Sequence, residues 1–294
     1  MVTAPERLLY RLELQVVRRL DGVLQGSYRT LYRGIGTDFA GLRPYQDGDD
    51  VRHIDWNVTS RLDEPHVRIF TEDRDLTAWL VVDTSPSMRF GSGAAGKDVV
   101  AQELSVALAR LLTLGRHRVG LIRYDNTGHR IVPPRSGRAQ VLRLAGELAA
   151  EPHAPRPGRP TDLAAMLNLA ASTIRRRCLV FVISDLIGPA GWQRPLIRLA
   201  HRHEVVVIRI VDPAENALPD QGLVMVEDSE TGEQVLVDTG DPELRAALDA
   251  EVASREQRIG EALGRAGVSA HLVSTDADLP TRLVQLVRQS GRHR

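Results

Sequence analysis

The sequence predicts an α/β protein: a doubly wound, mostly parallel sheet preceded by an N-terminal helix and a small β-rich module. Three observations carry this. From Leu76 to about Gln289, apolar runs of strand length alternate with stretches of helical periodicity. Runs such as Leu179–Ile183 and Val205–Ile208 are apolar at every position, as strands buried on both faces are. The stretch before them, roughly Val23–Asp75, is instead rich in glycine and turn residues and shows no convincing helical pattern.

The 294 residues suit about two domains, placed at 1–76 and 77–294. The apolar fraction is 43% and the charged fraction 26%, ordinary for a globular chain. Lys plus Arg and Asp plus Glu are equal at 38 each, so there is no broad attraction to nucleic acid or anionic membrane. Neither is expected as a partner. Cys178 is the only cysteine, which rules out an internal disulfide. It opens the run Cys178–Ile183 and reads as a small buried hydrophobe. Met1–Leu20 carries Glu6, Arg7, Arg11, Glu13, Arg18 and Arg19, so it resembles neither a signal peptide nor a membrane span. A cytoplasmic protein is expected.

Taken in order, Leu8, Leu9, Leu12, Val16 and Leu20 recur at helical spacing and predict a helix to about Gly22. His66–Thr71 alternates like a strand, and Thr77–Val82 is a near-continuous apolar strand. Val99, Val100, Leu104, Ala107, Leu108, Leu111 and Leu112 form a helix stripe ending near Gly115. Val119–Tyr124 is a strand, with a short one around Arg130–Val132. Helices follow near Ala139–Ala149 and Leu163–Arg175, separated by the Pro-rich loop Glu151–Pro160. Leu179–Ser184 is a strand, Trp192–Ala200 a helix and Glu204–Val211 a strand. Leu223–Val226 and Gln234–Val237 predict a hairpin turning at Thr231-Gly232. Asp241-Pro242-Glu243 combines an N-cap, a first-position proline and a first-turn acid, so a helix starts there and closes at Gly267. Val268–Ser274 is the last strand and Leu279–Gln289 the last helix.

Ligands of open parallel sheets sit at the carboxyl ends of the strands, near the point where strand order reverses. The Thr77–Val82 strand runs into Asp83-Thr84-Ser85-Pro86-Ser87. The Leu179–Ser184 strand runs into Asp185, and the Pro-rich loop delivers Thr161 to the start of a helix. Asp83, Ser85, Ser87, Thr161 and Asp185 supply only hard oxygen donors, some acting through water. Such a set suits Mg²⁺, which prefers octahedral oxygen ligands and few carboxylates. Mn²⁺ and Ca²⁺ are the alternatives. A position of the shell can stay open for an outside ligand.

At these residues the chain resembles the von Willebrand factor A family, whose metal-ion-dependent adhesion site has the pattern D-x-S-x-S, a later Thr and a later Asp. Asp83, Ser85 and Ser87 match the first element, Thr161 the second and Asp185 the third. Pro160 stands where glycine is frequent. The resemblance covers about residues 77–289 and implies that the free metal position accepts a partner's Asp or Glu. The string Gly48-Asp49-Asp50-Val51-Arg52-His53-Ile54-Asp55-Trp56, after Gly36-Thr37-Asp38-Phe39 and Leu42-Arg43-Pro44-Tyr45, narrows it. It resembles a bacterial family of unknown function that joins such a module to a von Willebrand factor A domain. Members are often encoded beside MoxR-type AAA+ ATPases, which implies such an ATPase as partner.

Competing readings are weaker. A calcium loop from Asp47 would need Gly and Glu where Arg52 and Val58 stand. A solvated turn fits better, with Arg52 and Asp55 as a pair within the module. Gly91-Ser92-Gly93-Ala94-Ala95-Gly96-Lys97 fits a phosphate loop, but Asp98 replaces the metal-holding hydroxyl. It reads as a flexible link to the next helix. His201 and His203 suit a helix end followed by a strand start. No nucleophile is paired with a base. The sequence therefore favours an interaction module over an enzyme; the alternative is a Mg²⁺-dependent phosphohydrolase or nucleotide hydrolase.

Overall fold

The computed structural model describes residues 38–283 apart from 47–48, 50, 52–53, 63, 72–75, 94, 151–160, 217–219, 229–231 and 278–282. The expected N-terminal helix, the Pro-rich loop before Thr161 and all of the last helix except Leu283 lie outside the described residues.

Strands β1 (Asp38–Pro44) and β2 (His66–Thr71) pair antiparallel as a two-stranded sheet. Between them lies a short helix, α1 (Trp56–Leu62). This corrects the expectation of a helix-free module. Its start is local chemistry: Asp55 Oδ1 accepts from the amides of Asn57 and Val58 at 3.0 and 3.2 Å. The amphipathic stripe that marks longer helices is absent, and none of the seven residues is buried. Asp55 thus works as a helix cap. The expected pairing of Asp55 with Arg52 lies outside the described residues; Arg43 grips Asp49 with both guanidinium nitrogens, at 2.6 and 2.7 Å.

The main sheet has the order β10-β7-β6-β3-β4-β5. Its strands are β3 (Thr77–Asp83), β4 (Arg118–Tyr124), β5 (His129–Arg135), β6 (Leu179–Ser184), β7 (Glu204–Val211) and β10 (Ser269–Ser274). All neighbours are parallel except β5 on β4. The expected doubly wound, mostly parallel sheet is therefore present. On one face lie α2 (Lys97–Leu114) and α3 (Arg138–Ala149), packed against Leu80, Val82, Val119 and Leu121. On the other lie α4 (Leu163–Thr173), α5 (Gln193–Arg202) and α6 (Pro242–Ala266), packed against Trp79, Val81, Val180 and Val182. Strand alternation sends successive residues of β3 into opposite layers. This explains why β3 reads as apolar throughout.

Chain ends of the helices follow the cap chemistry. Asp241 accepts from Glu243 N at 2.9 Å, and Gly267 closes α6 in the left-handed region at φ 61°. His201 lies in the last turn of α5 and His203 is its C-cap, followed by the start of β7 as expected. Cys178 is half-buried, and burial pushes its thiol up to about 12. Strands β8 (Leu223–Glu227) and β9 (Gln234–Asp238) form the expected hairpin as a separate two-stranded sheet. Among the described residues no helix is long and apolar enough to cross a membrane.

Candidate functional site

Strand order reverses between β3 and β6, which are hydrogen-bonded neighbours. A crevice for a ligand is expected at their carboxyl ends. Asp83 is the last residue of β3, and Asp185 follows the last residue of β6. Beyond Asp83 the chain stays hooked to the end of β4, because Thr84 N donates to Tyr124 O at 2.8 Å. The short 3₁₀ turn Pro86–Arg89 then brings Ser87 back beside Ser85, with their Oγ atoms 3.0 Å apart.

Asp83 is oriented from two sides. Oδ1 accepts from Ser85 N at 2.9 Å, and Oδ2 accepts from Ser184 Oγ at 2.7 Å. Thr161 precedes Asp162, which is the true cap of α4 and accepts from Ala165 N at 3.0 Å. The capping role is therefore filled by Asp162, not by Thr161. A Cβ on Gly188 would stand 3.2 Å from Thr161 O, so the Thr161 segment lies against the loop that follows Asp185. Asp83, Ser85, Ser87, Thr161 and Asp185 are all buried, none more than 8% exposed.

Burial pushes the Asp83 carboxyl up to about 7, and the negative charge of Asp185 adds to this against the bonds from Ser184 and Ser85. Among the described residues no three or more His, Cys, Asp or Glu side chains form a metal-holding group. The candidate donors are two carboxylates and three hydroxyls.

Asp185 is held through both its side chain and its backbone. Oδ1 accepts from Ile187 N at 2.9 Å, and its backbone oxygen accepts from Arg209 Nε at 3.0 Å. Arg209 is held in turn by both carboxylate oxygens of Glu256 on α6. The next residue, Leu186, has φ 58°, a left-handed conformation that costs a non-glycine residue about 1 kcal/mol or more. Leu186 is buried in the second core layer and its amide donates to Ser184 Oγ at 3.0 Å, which hold it there.

Sequence reasoning missed Lys97. Its ammonium donates to Asp185 Oδ2 at 2.7 Å and also to Glu215 Oε1, with the lysine side chain fully buried. The expected flexible link Gly91–Lys97 is a closed loop. A Cβ on Gly91 would stand 2.5 Å from Gly96 Cα, and Lys97 N donates to Phe90 O at 2.9 Å. Asp212, just past β7, accepts from Ser92 N and Oγ at 3.0 and 2.5 Å and from Thr275 Oγ1 at 2.7 Å. Burial opposes ionisation of Asp212, but these bonds outweigh it and hold the carboxyl at about 2. The signal was in the sequence: Lys97 lies four residues before Ala101 and seven before Leu104, on the buried stripe of α2.

The sequence profile described as "Protein of unknown function DUF58" matches residues 41–258. The chain belongs to the DUF58 family. The uncharacterized protein Rv1480 of Mycobacterium tuberculosis is 37% identical over 284 residues, covering 97% of this chain and 89% of that one. The uncharacterized protein Mb1516 of Mycobacterium bovis aligns to the same extent. Among solved structures, an aerotolerance-related membrane protein from Bacteroides fragilis aligns with TM-score 0.49 and 17% identity, over 74% of this chain and 100% of that one. The conserved hypothetical protein BatB from Bacteroides thetaiotaomicron gives TM-score 0.47 and 16% identity, over 74% and 99%. The SpRpn10 VWA domain gives TM-score 0.39 and 13% identity, over 72% and 95%. This DUF58 chain thus has relatives across nearly its whole length.

Proposed function

We propose that this DUF58 protein is a metal-dependent protein-interaction module. Its von Willebrand factor A-like unit, residues 77–294, would hold a divalent cation, Mg²⁺ first, with Mn²⁺ and Ca²⁺ as alternatives. The observation that carries the reading is the meeting of Asp83, Ser85 and Ser87 with Asp185 at the reversal point of the sheet, with Thr161 on the adjoining loop. The donor set fits a hard cation, because all five side chains offer oxygen. Burial, and after it the charge of Asp185, pushes Asp83 toward its protonated form, a penalty that a cation would relieve.

When bound, the ion would supply a cationic centre that a partner's carboxylate can approach. The chain's own residues prepare for it. Ser184 Oγ and Ser85 N orient Asp83, and Ile187 N and Lys97 orient Asp185. A MoxR-type AAA+ ATPase is the partner class that the sequence resemblance implies. The module would serve it as adaptor or cofactor in protein-complex assembly, with residues 1–76 forming a separate module.

The reading is non-catalytic. Lys97, the lysine of the phosphate-loop look-alike, is buried against two carboxylates. The test is thermal melting across a Mg²⁺ titration. Saturation a hundredfold above the dissociation constant adds about 2.7 kcal/mol. The melting temperature should rise with Mg²⁺ in the native protein and stay fixed in Asp83→Ala. An unchanged curve for the native protein up to high millimolar Mg²⁺ would sink the proposal.

A further inference from the structure

We infer that Lys97 is a positioning residue for the candidate cation site: a built-in single charge that holds Asp185 by one oxygen and sets how tightly the site binds a divalent ion. The inference rests on the metal reading above and goes beyond it, since neither the adhesion-site pattern nor the family match assigns Lys97 a role.

The geometry is specific. Lys97 Nζ bridges Asp185 Oδ2 at 2.7 Å and Glu215 Oε1, and the lysine and Asp185 side chains are fully buried. A buried ammonium persists only when paired and hydrogen-bonded. Its aim is fixed by packing, because it opens α2 on the buried stripe of Val100, Ala101 and Leu104. The loop behind it is pinned by Ser92 to Asp212. Glu215 sits in the short turn Pro213–Asn216 after β7. Asp185 is clamped on its far side by Ile187 N and through its backbone oxygen by Arg209. The carboxylate therefore cannot turn toward an ion without disturbing its bond to Lys97.

Two cations would then share one carboxylate. Lys97 draws on the negative charge of Asp185 and weakens its hold on a divalent ion. Glu215 offsets Lys97 from the other side and restores part of that hold. The two residues should thus affect ion affinity with opposite signs. Removing the ammonium leaves a charge deficit that the ion itself would fill. Removing the Glu215 charge leaves Lys97 to Asp185 alone. At these separations a unit charge changes divalent affinity by roughly tenfold or more.

The test is calorimetric MgCl₂ titration of the full chain as native protein, Lys97→Met and Glu215→Gln, with melting as a parallel readout. Lys97→Met should bind Mg²⁺ roughly tenfold tighter and Glu215→Gln several-fold more weakly. A scaffold role alone would loosen the site in both. If the native protein binds Mg²⁺ but both variants weaken, or neither changes, the role of Lys97 is overturned and the metal reading stands. If the native protein shows no Mg²⁺ response, both fall. Should Lys97→Met fail to fold, Lys97→Gln, which keeps a hydrogen-bond donor without the charge, takes its place: unchanged or weaker binding than native overturns the inference.

Discussion

Ser184 donates its hydroxyl to Asp83 Oδ2 at 2.7 Å and accepts from Leu186 N at 3.0 Å. One side chain thus joins the carboxyl ends of β3 and β6 and helps hold the left-handed turn after Asp185. Its hydroxyl both donates and accepts in a buried place, so removing it takes a bond from Asp83 Oδ2 and from Leu186 N together.

Ser184→Ala should therefore destabilise the protein by about 1–3 kcal/mol in urea unfolding, with an unchanged denaturant slope. It should also push the Asp83 carboxyl further up, because a bond that lowers it is lost. A variant within about 0.5 kcal/mol of native would show that the bond contributes little there.

Asp212 predicts the acid response of the loop that carries Lys97. Its carboxyl lies at about 2, against an ordinary value of 3.8. A depressed carboxylate contributes stability above the unfolded value and loses it as pH falls through the folded one. Asp212→Asn should cost on the order of 2 kcal/mol at neutral pH. That gap to the native protein should narrow between pH about 4 and about 2. A gap independent of pH would show that the amide loses packing and not charge.

Much of the fold was legible because buried parallel strands leave a strong mark. Leu179–Ser184 and Glu204–Val211 were readable to the residue, since the first is apolar or small throughout and the second is apolar at every position but Glu204 and Arg209. The strand-end positions of Asp83 and Asp185 followed from the bounds of the two runs, whereas the reversal between β3 and β6 is a matter of strand order, which alternation alone does not fix. Three features escaped. Helix α1 is a single capped segment with no buried face, so it has no periodicity to read. Lys97 falls at the end of the glycine-rich stretch that reads as a flexible link, and nothing local marks it as buried, because its two partners lie 88 and 118 residues away. Ser184 looked like one more strand residue until the register set it beside Asp83.

The burial of Lys97 sharpens the expectation about nucleotides. A phosphate-binding lysine must reach solvent, whereas this one is enclosed by Asp185 and Glu215. Purified protein should release no phosphate from ATP or GTP above buffer. Release that disappears in Lys97→Met would return the enzyme reading to first place.

The last prediction concerns the partner. A cation held by a few protein oxygens keeps exchangeable water, which a carboxylate from another protein can displace. That single contact carries a desolvation cost, so surrounding surface must supply most of the affinity. The rim around Ser85, Ser87, Thr161 and Asp185 is where an Asp or Glu of a MoxR-type ATPase, or another protein, would meet the ion. Asp83 and Thr161 come from different elements, one ending β3 and one preceding α4. Their loss should therefore act on binding through the shared ion and not through one local loop. Complex formation should require Mg²⁺ and fall at least tenfold in Asp83→Ala and in Thr161→Ala, a loss of about 1.4 kcal/mol or more. Both variants must first show native-like circular dichroism and cooperative unfolding. The measurement is co-purification from extract of native and variant protein, each with Mg²⁺ and with chelator. Partners recovered equally under all conditions would overturn the metal bridge even if the association were real. Recovery lost with chelator in the native protein, and absent in both variants, is the outcome that a shared ion requires.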